Sequence, residues 1–236
     1  MGFLGRFFRR ITRNHRAKAH GAKGERRVNA ALNPFFGKVY HKSISNLILV
    51  DDYENSHQID HVEIRENGIF CIETKYLVGH VIEGEKEGAW TQILYAGERH
   101  HIFDPLKQNE THCRQIRRII GNKYNVNSLI VMANDNSASI KHFNVINLCD
   151  LKEYLKNFDD GERLSKEEID AVYNLLIKSA SKMTAEEHKE NVHKSLEKIE
   201  SNICPRCGGK LILKKFKDGT DFYGCENYPR CTFIKK

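Results

Sequence analysis

Apolar and polar positions recur with two different periods along the chain. From Arg16 to Leu32, positions Gly21, Glu25, Val28 and Leu32 fall at i, i+4, i+7 and i+11, which is one helix face, and Asn33-Pro34 ends that helix. Short strands are expected near Val39–His41 and Leu47–Val50, then two better-marked ones over Gln58–Arg65 and Ile69–Lys75. Asn67-Gly68 between the last two is a strong hairpin signal. Asp104-Pro105 predicts an N-cap and a first-turn proline for a helix that runs to Ile120 and stops at Gly121. Ser128–Ala133 is continuously apolar, as a buried strand is, and Asn144–Leu148 predicts another. Ser165-Lys-Glu-Glu168 and Thr184-Ala-Glu-Glu187 are capping boxes. They open two helices with apolar positions Ile169, Val172, Leu176 and Val192, Leu196, Ile199. This order predicts a mixed α/β core over 16–150, a helical connector over 151–201 and a small module over 202–236.

Composition adds partners to that picture. The 236 residues carry a net charge of +7, unevenly placed: residues 1–30 hold nine Lys/Arg against one acid, and residues 201–236 hold eight against three. The stretch between them is therefore acidic, at −6. Basic ends suit polyanions, either nucleic acid or an anionic membrane surface. Residues 1–15, with Phe3, Leu4, Phe7, Phe8 and Ile11 among arginines, are read as a basic amphipathic or disordered segment able to touch such a surface. No run approaches the roughly 18 apolar residues of a membrane span. The N-terminus lacks the apolar length of a secretory signal, so a soluble, cytoplasmic protein is expected.

The seven cysteines separate by spacing. Cys204, Cys207, Cys225 and Cys231 form a C-x2-C, x17, C-x5-C array, the pattern of a tetrahedral Zn2+ site with four soft ligands. Cys71, Cys113 and Cys149 stand alone in apolar surroundings and are expected as small core residues. The ribbon offers Lys210, Lys214, Lys215, Lys217 and Arg230 to phosphates, and Tyr223 and Tyr228 as stacking surfaces. Phe222 and Phe233 are expected in its small core.

A second constellation lies on the hairpin. With a two-residue Asn67-Gly68 turn, Asp60 stands opposite Lys75 and Val62 opposite Glu73, so Asp60, Val62 and Ile64 share a face with Cys71, Glu73 and Lys75. Two acids and a lysine on an apolar face cost free energy unless they are paired or bind a metal. Glu25 lies on the apolar face of its own helix. Three carboxylates with one lysine can hold Mg2+ or Mn2+ beside a phosphodiester; a plain salt bridge is the alternative. Gln58 and His61 have the opposite parity and are read as outer-face or supporting residues. His41, His100 and His101 are read as solvated, and His188 and His193 as uninvolved.

The motifs Gly21-Ala-Lys-Gly24-Glu25-Arg-Arg-Val28, Gln58-Ile-Asp60-His61-Val62, Gly68-Ile-Phe-Cys-Ile-Glu73-Thr-Lys75 and Asp104-Pro-Leu-Lys-Gln108 resemble, in order, those of the nuclease-related NERD domain. That family looks like a branch of the PD-(D/E)xK phosphodiesterases. The resemblance implies a restriction-endonuclease-like α-β-β-β-α-β core, with Asp60 and Glu73 on the metal and Lys75 serving the water. It also implies Glu25 as the helical carboxylate and Gln108 near the scissile phosphate. His112 replaces an aromatic residue common in related exonucleases. Cys-Pro-x-Cys-Gly-Gly-x-Leu and Phe-Tyr-Gly-Cys-x-Asn-Tyr-Pro-x-Cys resemble the C-terminal zinc ribbons of type IA topoisomerases, which implies DNA binding, single strands included. A DNA-processing nuclease is the expected function; a DNA-binding protein on an inactive nuclease scaffold is the alternative.

Overall fold

The computed structural model describes residues 20–33, 39–86 and 88–235, so the segment 1–15 lies outside the described residues. Helix α1 covers residues 20–32. Strands β1 (His41–Val50), β2 (Ser56–Arg65) and β3 (Gly68–Lys75) follow. Next come three short strands, β4 (His80–Lys86), β5 (Ala89–Ile93) and β6 (Arg99–Phe103). Helix α2 (Pro105–Ile120) leads to β7 (Val126–Met132) and β8 (Val145–Asn147). Helices α3 (Leu151–Asn157), α4 (Lys166–Ser179) and α5 (Ala185–Glu200) precede the ribbon strands β9 (Leu211–Lys215), β10 (Asp221–Cys225) and β11 (Ile234–Lys235).

The large sheet has the order β1-β2-β3-β7-β8. β2 and β3 are antiparallel, while β7 runs parallel to both β3 and β8. Because side chains alternate across a sheet, β3 serves two layers. Phe70 and Ile72 join Leu129 and Val131 beneath Val28 and Leu32 of α1 and Leu151 and Leu155 of α3. On the other face Cys71 meets Asn109 of α2, and Ile130 and Met132 pack with Val81 and Trp90 of the small sheet. Each fully buried Leu or Ile contributes about 1.5–3 kcal/mol here.

The described residues divide into two compact units, one running to Leu47 with Ile59–Ser179, the other joining Ile48–Gln58 to Ala180–Lys236. The helices expected as a connector therefore divide between them. Leu151, Leu155, Ile169, Val172 and Leu176 are buried in the first unit. Helix α5 belongs to the second and buries none of its residues.

Several expectations change. β1 is one ten-residue strand, His41–Val50, in place of the two short strands expected near Val39–His41 and Leu47–Val50; Asn46 takes a φ of 55° within it. The hairpin turn is Glu66-Asn67, with Arg65 facing Gly68 and Val62 facing Cys71. Asn67 is held there because its Nδ2 donates to the carbonyls of Leu155 and Phe158, both at 2.8 Å. The sheet β4-β5-β6 was not anticipated: its strands are short, and Arg99–Phe103 is largely exposed. Cys71 and Cys113 are core residues as expected, whereas Cys149 is exposed on a short 3-10 turn. Val192 and Leu196 face solvent, because α5 docks through His188, Asn191 and Ser195 instead. Among the described residues, no helix is long and apolar enough to cross a membrane.

Candidate active site and metal centre

Asp60 and Glu73 arise on neighbouring strands. Continuing the observed register by one residue sets them across from each other, two residues short of the expected Asp60–Lys75 pairing. A two-residue slip leaves every side chain on its face, so Asp60, Glu73 and Lys75 still share one. Asp60 Oδ2 accepts the backbone N–H of Thr74 at 2.8 Å, tying the two strands at the site. Burial drives the Asp60 carboxyl up to about 8; the nearby Glu73 charge, and more weakly Glu25, add to this, while the Thr74 N–H and Lys75 oppose it.

Glu73 is 2% exposed. Burial pushes its carboxyl up, but His112 and Lys75 outweigh that and hold it below the usual range. Lys75 Nζ donates to Glu73 Oε1 at 2.6 Å and to Gln108 Oε1 at 3.0 Å. An ammonium has three donors, so one remains. His112 Nδ1 lies 3.4 Å from Glu73 Oε2, close enough for charge pairing but off hydrogen-bond geometry, which leaves that buried oxygen without a hydrogen-bond partner. Helix α2 supplies both Gln108 and His112, four residues apart on one face. Asp104 caps the helix by accepting Leu106 N–H at 2.9 Å. Asn109 anchors it, its Nδ2 donating to the Cys71 carbonyl at 2.8 Å and to Ser128 Oγ at 2.9 Å.

Glu25 reaches the site's field from α1: burial first, then the Glu73 charge, raises its carboxyl, with Arg26 opposing. Gly24 makes this approach feasible, because a Cβ there would meet Tyr76 Cβ at 2.9 Å and Thr74 Cγ2 at 3.2 Å. Gly24→Val should lift α1 from the sheet and lower stability by about 1–3 kcal/mol, read as a fall in melting temperature; an unchanged melting temperature would contradict this close packing.

Among the described residues only the four cysteines bring three or more such ligand atoms within 4.8 Å of one another. Glu25, Asp60 and Glu73 do not by themselves close into a cage. Yet Asp60 and Glu73 share a face with Lys75, Glu25 is felt there only through its charge, and the Glu73 Oε2 without a hydrogen bond and the raised Asp60 carboxyl are both features a divalent cation would relieve. The residues fit such an ion.

Sequence reasoning left His112 open and did not single out Asn109, although both fall on the buried face of α2. His61 is 1% exposed and lies on the α1 side, with its Nδ1 3.0 Å from Ser45 Oγ; burial lowers its pKa to about 4. His41 is not solvated: its Nδ1 sits 2.8 Å from the fully buried Glu63. His101 Nδ1 meets Thr91 Oγ1 at 3.1 Å and His188 Nδ1 meets Ser56 Oγ at 2.7 Å.

In the ribbon, Cys204 and Cys231 sulfurs lie 3.6 Å apart and those of Cys207 and Cys225 3.3 Å apart. A disulfide needs about 2.05 Å, while four thiolates at Zn–S distances of about 2.3 Å stand roughly 3.8 Å apart. The cluster fits zinc. The Cys204–Cys207 knuckle closes through Gly208, at a φ of +73°, and Asn227 Nδ2 donates to Cys207 Sγ at 3.5 Å. Tyr223 packs with Phe233 against the cysteines instead of standing free. Phe222 stacks on Phe216 at 4.1 Å. Lys215 pairs with Asp221 at 2.9 Å, and Lys214 Nζ sits 5.6 Å over the Tyr228 ring. Lys210, Lys217, Tyr228 and Arg230 are exposed.

Residues 20–133 match the model of the nuclease-related domain. Residues 201–236 match that of the topoisomerase DNA binding C4 zinc finger. An uncharacterized protein of Bacillus anthracis is 25% identical over 197 residues, covering 80% of this chain and 91% of that protein. DNA topoisomerase 1 of Methanocaldococcus jannaschii is 58% identical over 38 residues, 16% of this chain but 5% of that enzyme. DNA topoisomerase 1 of Helicobacter pylori is 49% identical over 48 residues, 20% of this chain and 6% of that enzyme. No solved structure matches the chain. The chain thus carries a nuclease-related domain at residues 20–133 and a topoisomerase-type C4 zinc ribbon at residues 201–236.

Proposed function

We propose that this protein is a metal-dependent phosphodiesterase acting in DNA processing, with its zinc ribbon tethering the DNA. Asp60 and Glu73 hold Mg2+ or Mn2+, Glu25 adds a third negative charge, and Lys75 and Gln108 serve the scissile phosphate. The observation that carries this reading is geometric: two carboxylates, Asp60 and Glu73, stand on adjacent strands and share one face with Lys75, whose Nζ lies 2.6 Å from Glu73 and 3.0 Å from Gln108. When bound, the cation polarises the phosphate and makes water a better nucleophile. Lys75 keeps one ammonium hydrogen for a phosphate oxygen, since Glu73 and Gln108 take the other two. Gln108 thereby fixes where that hydrogen is offered. In the ribbon, Lys214 and Tyr228 line a cleft of about 290 Å3 with Phe216 and Phe222, a mixture suited to single strands. A reducing compartment such as the cytoplasm keeps the four ribbon thiols available for zinc.

A second reading, a DNA-binding protein on an inactive scaffold, draws on Glu73 being already engaged by Lys75 and His112. Incubation of the zinc-loaded chain with labelled single- and double-stranded DNA separates the two. Cleavage that requires Mg2+ or Mn2+ supports catalysis, whereas salt-sensitive binding with no cleavage in either metal supports the scaffold.

The raised Asp60 carboxyl gives a further prediction. A group whose folded pKa lies above its ordinary value opposes folding where it must ionise. The cost is absent below about pH 4, grows as pH rises, and levels off above about 8. In Mg2+-free buffer Asp60→Asn should therefore stabilise the chain at pH 8, by up to about 5 kcal/mol, and make no difference near pH 4. Adding Mg2+ should raise the melting temperature of the wild type alone. A variant that melts below the wild type at pH 8 without Mg2+ would rule this out.

A further inference from the structure

We infer that Tyr53, at the tip of the β1–β2 hairpin, forms part of the surface on which the zinc ribbon binds single-stranded nucleic acid, holding one nucleotide beside Tyr228. This rests on the proposed DNA-binding role of the ribbon and adds a residue from outside the ribbon motif.

Residues 48–58 group with 180–236 in one compact unit, and hydrogen bonds hold them there. Asn191 Oδ1 accepts Ser56 N–H at 2.8 Å while its Nδ2 donates to the Glu54 carbonyl at 2.9 Å. Ser195 Oγ donates to Asn55 Oδ1 at 2.9 Å. Helix α5 continues into the ribbon, where Lys235 Nζ returns to the Ile199 carbonyl at 3.2 Å. Within the tip, Asp51 Oδ1 accepts the N–H groups of Tyr53 and Asn55, both at 2.9 Å. That turn presents the Tyr53 ring outward: it is 41% exposed.

Tyr53 then lines a cleft of about 480 Å3 with Asn227, Tyr228, Pro229 and Arg230 of the second zinc knuckle. That volume is in the range of roughly 300–1,000 Å3 typical of small-ligand clefts. Tyr228 is 67% exposed. The Arg206 guanidinium lies over the Tyr53 ring, 5.7 Å from its centroid. Two exposed aromatic rings, each with a cation over it, Arg206 over Tyr53 and Lys214 over Tyr228, together with Arg230 in the cleft lining, match a base and its phosphate. Asp52 and Glu54 flank Tyr53 and are exposed, so stacking, not charge, is the tip's contribution.

The test uses the full zinc-loaded chain and a fluorescein-labelled oligothymidylate, read by anisotropy across a salt series. Tyr53→Ala weakens binding roughly 5- to 100-fold with an unchanged salt slope, and Tyr53→Phe binds as wild type. Arg230→Ala lowers the slope by about 0.7. Wild-type affinity in Tyr53→Ala, alongside a loss in Tyr228→Ala, overturns the inference and leaves the ribbon's role standing. No binding by the wild type overturns both. Should Tyr53→Ala disturb folding, cross-linking of the wild-type chain to a 5-iodouracil oligonucleotide decides: an adduct on Tyr53 supports the inference, and adducts confined to 201–236 overturn it.

Discussion

Lys75→Ala lowers metal-dependent cleavage by about 10²–10⁴-fold, the range for losing one group that stabilises charge or moves a proton in the transition state. Lys75 sits 2.6 Å from Glu73 and 3.0 Å from Gln108, and no other lysine or arginine makes a 4.0 Å ion pair with Glu73 among the described residues. Its removal also leaves a 2%-exposed carboxylate less compensated, so some stability is lost with it. A melting curve on the same sample separates the two effects, because a chain folded at the assay temperature can lose rate only at the site. Gln108→Ala, which keeps the Glu73–Lys75 pair, lowers the rate less, by about tenfold. Full cleavage by a folded Lys75→Ala chain would remove this lysine from the reaction.

The other large effect is on the ribbon. Its buried set is Cys204, Leu211, Cys225 and Cys231, with Tyr223 and Phe233 partly covered. So small a core cannot offset the conformational entropy of ordering the module. Zinc would supply on the order of 10 kcal/mol of its folding free energy. Cys204→Ser therefore unfolds the ribbon and lowers single-strand affinity at least tenfold, while the melting of the nuclease-related core is unchanged. Zinc content, anisotropy and a melting curve read the three effects. Equal binding by a chain ending at Ser201 would contradict the ribbon's assignment.

What was legible in the sequence followed from local rules. The cap at Asp104, the capping boxes at Ser165 and Thr184, and the cysteine spacing each depend on residues within a few positions, and the structure repeats them. The grouping of Asp60, Glu73 and Lys75 on one face survived an error in the turn, because sheet faces alternate with period two and the register moved by two. Long-range terms were not legible. Asn67 chooses the turn through carbonyls some ninety positions away. His112 meets Glu73 only once α2 has folded back on β3. The polar side of α5 docks on the hairpin tip by hydrogen bonds, against its apolar periodicity. Strands of the small sheet bury too few side chains to stand out; Val81, Trp90 and Thr91 supply most of its buried contacts.

Whether the Asp60–Glu73 pair is a cation site decides the catalytic reading, and Mn2+ titration followed by electron paramagnetic resonance measures it. The wild-type chain should take up Mn2+ at pH 7.5 with release of a proton, since the raised Asp60 carboxyl must ionise to bind it. Asp60→Asn should lose that site, and Cys204→Ser should keep it. Equal Mn2+ binding by wild type and Asp60→Asn, or none by either, would contradict the proposed site.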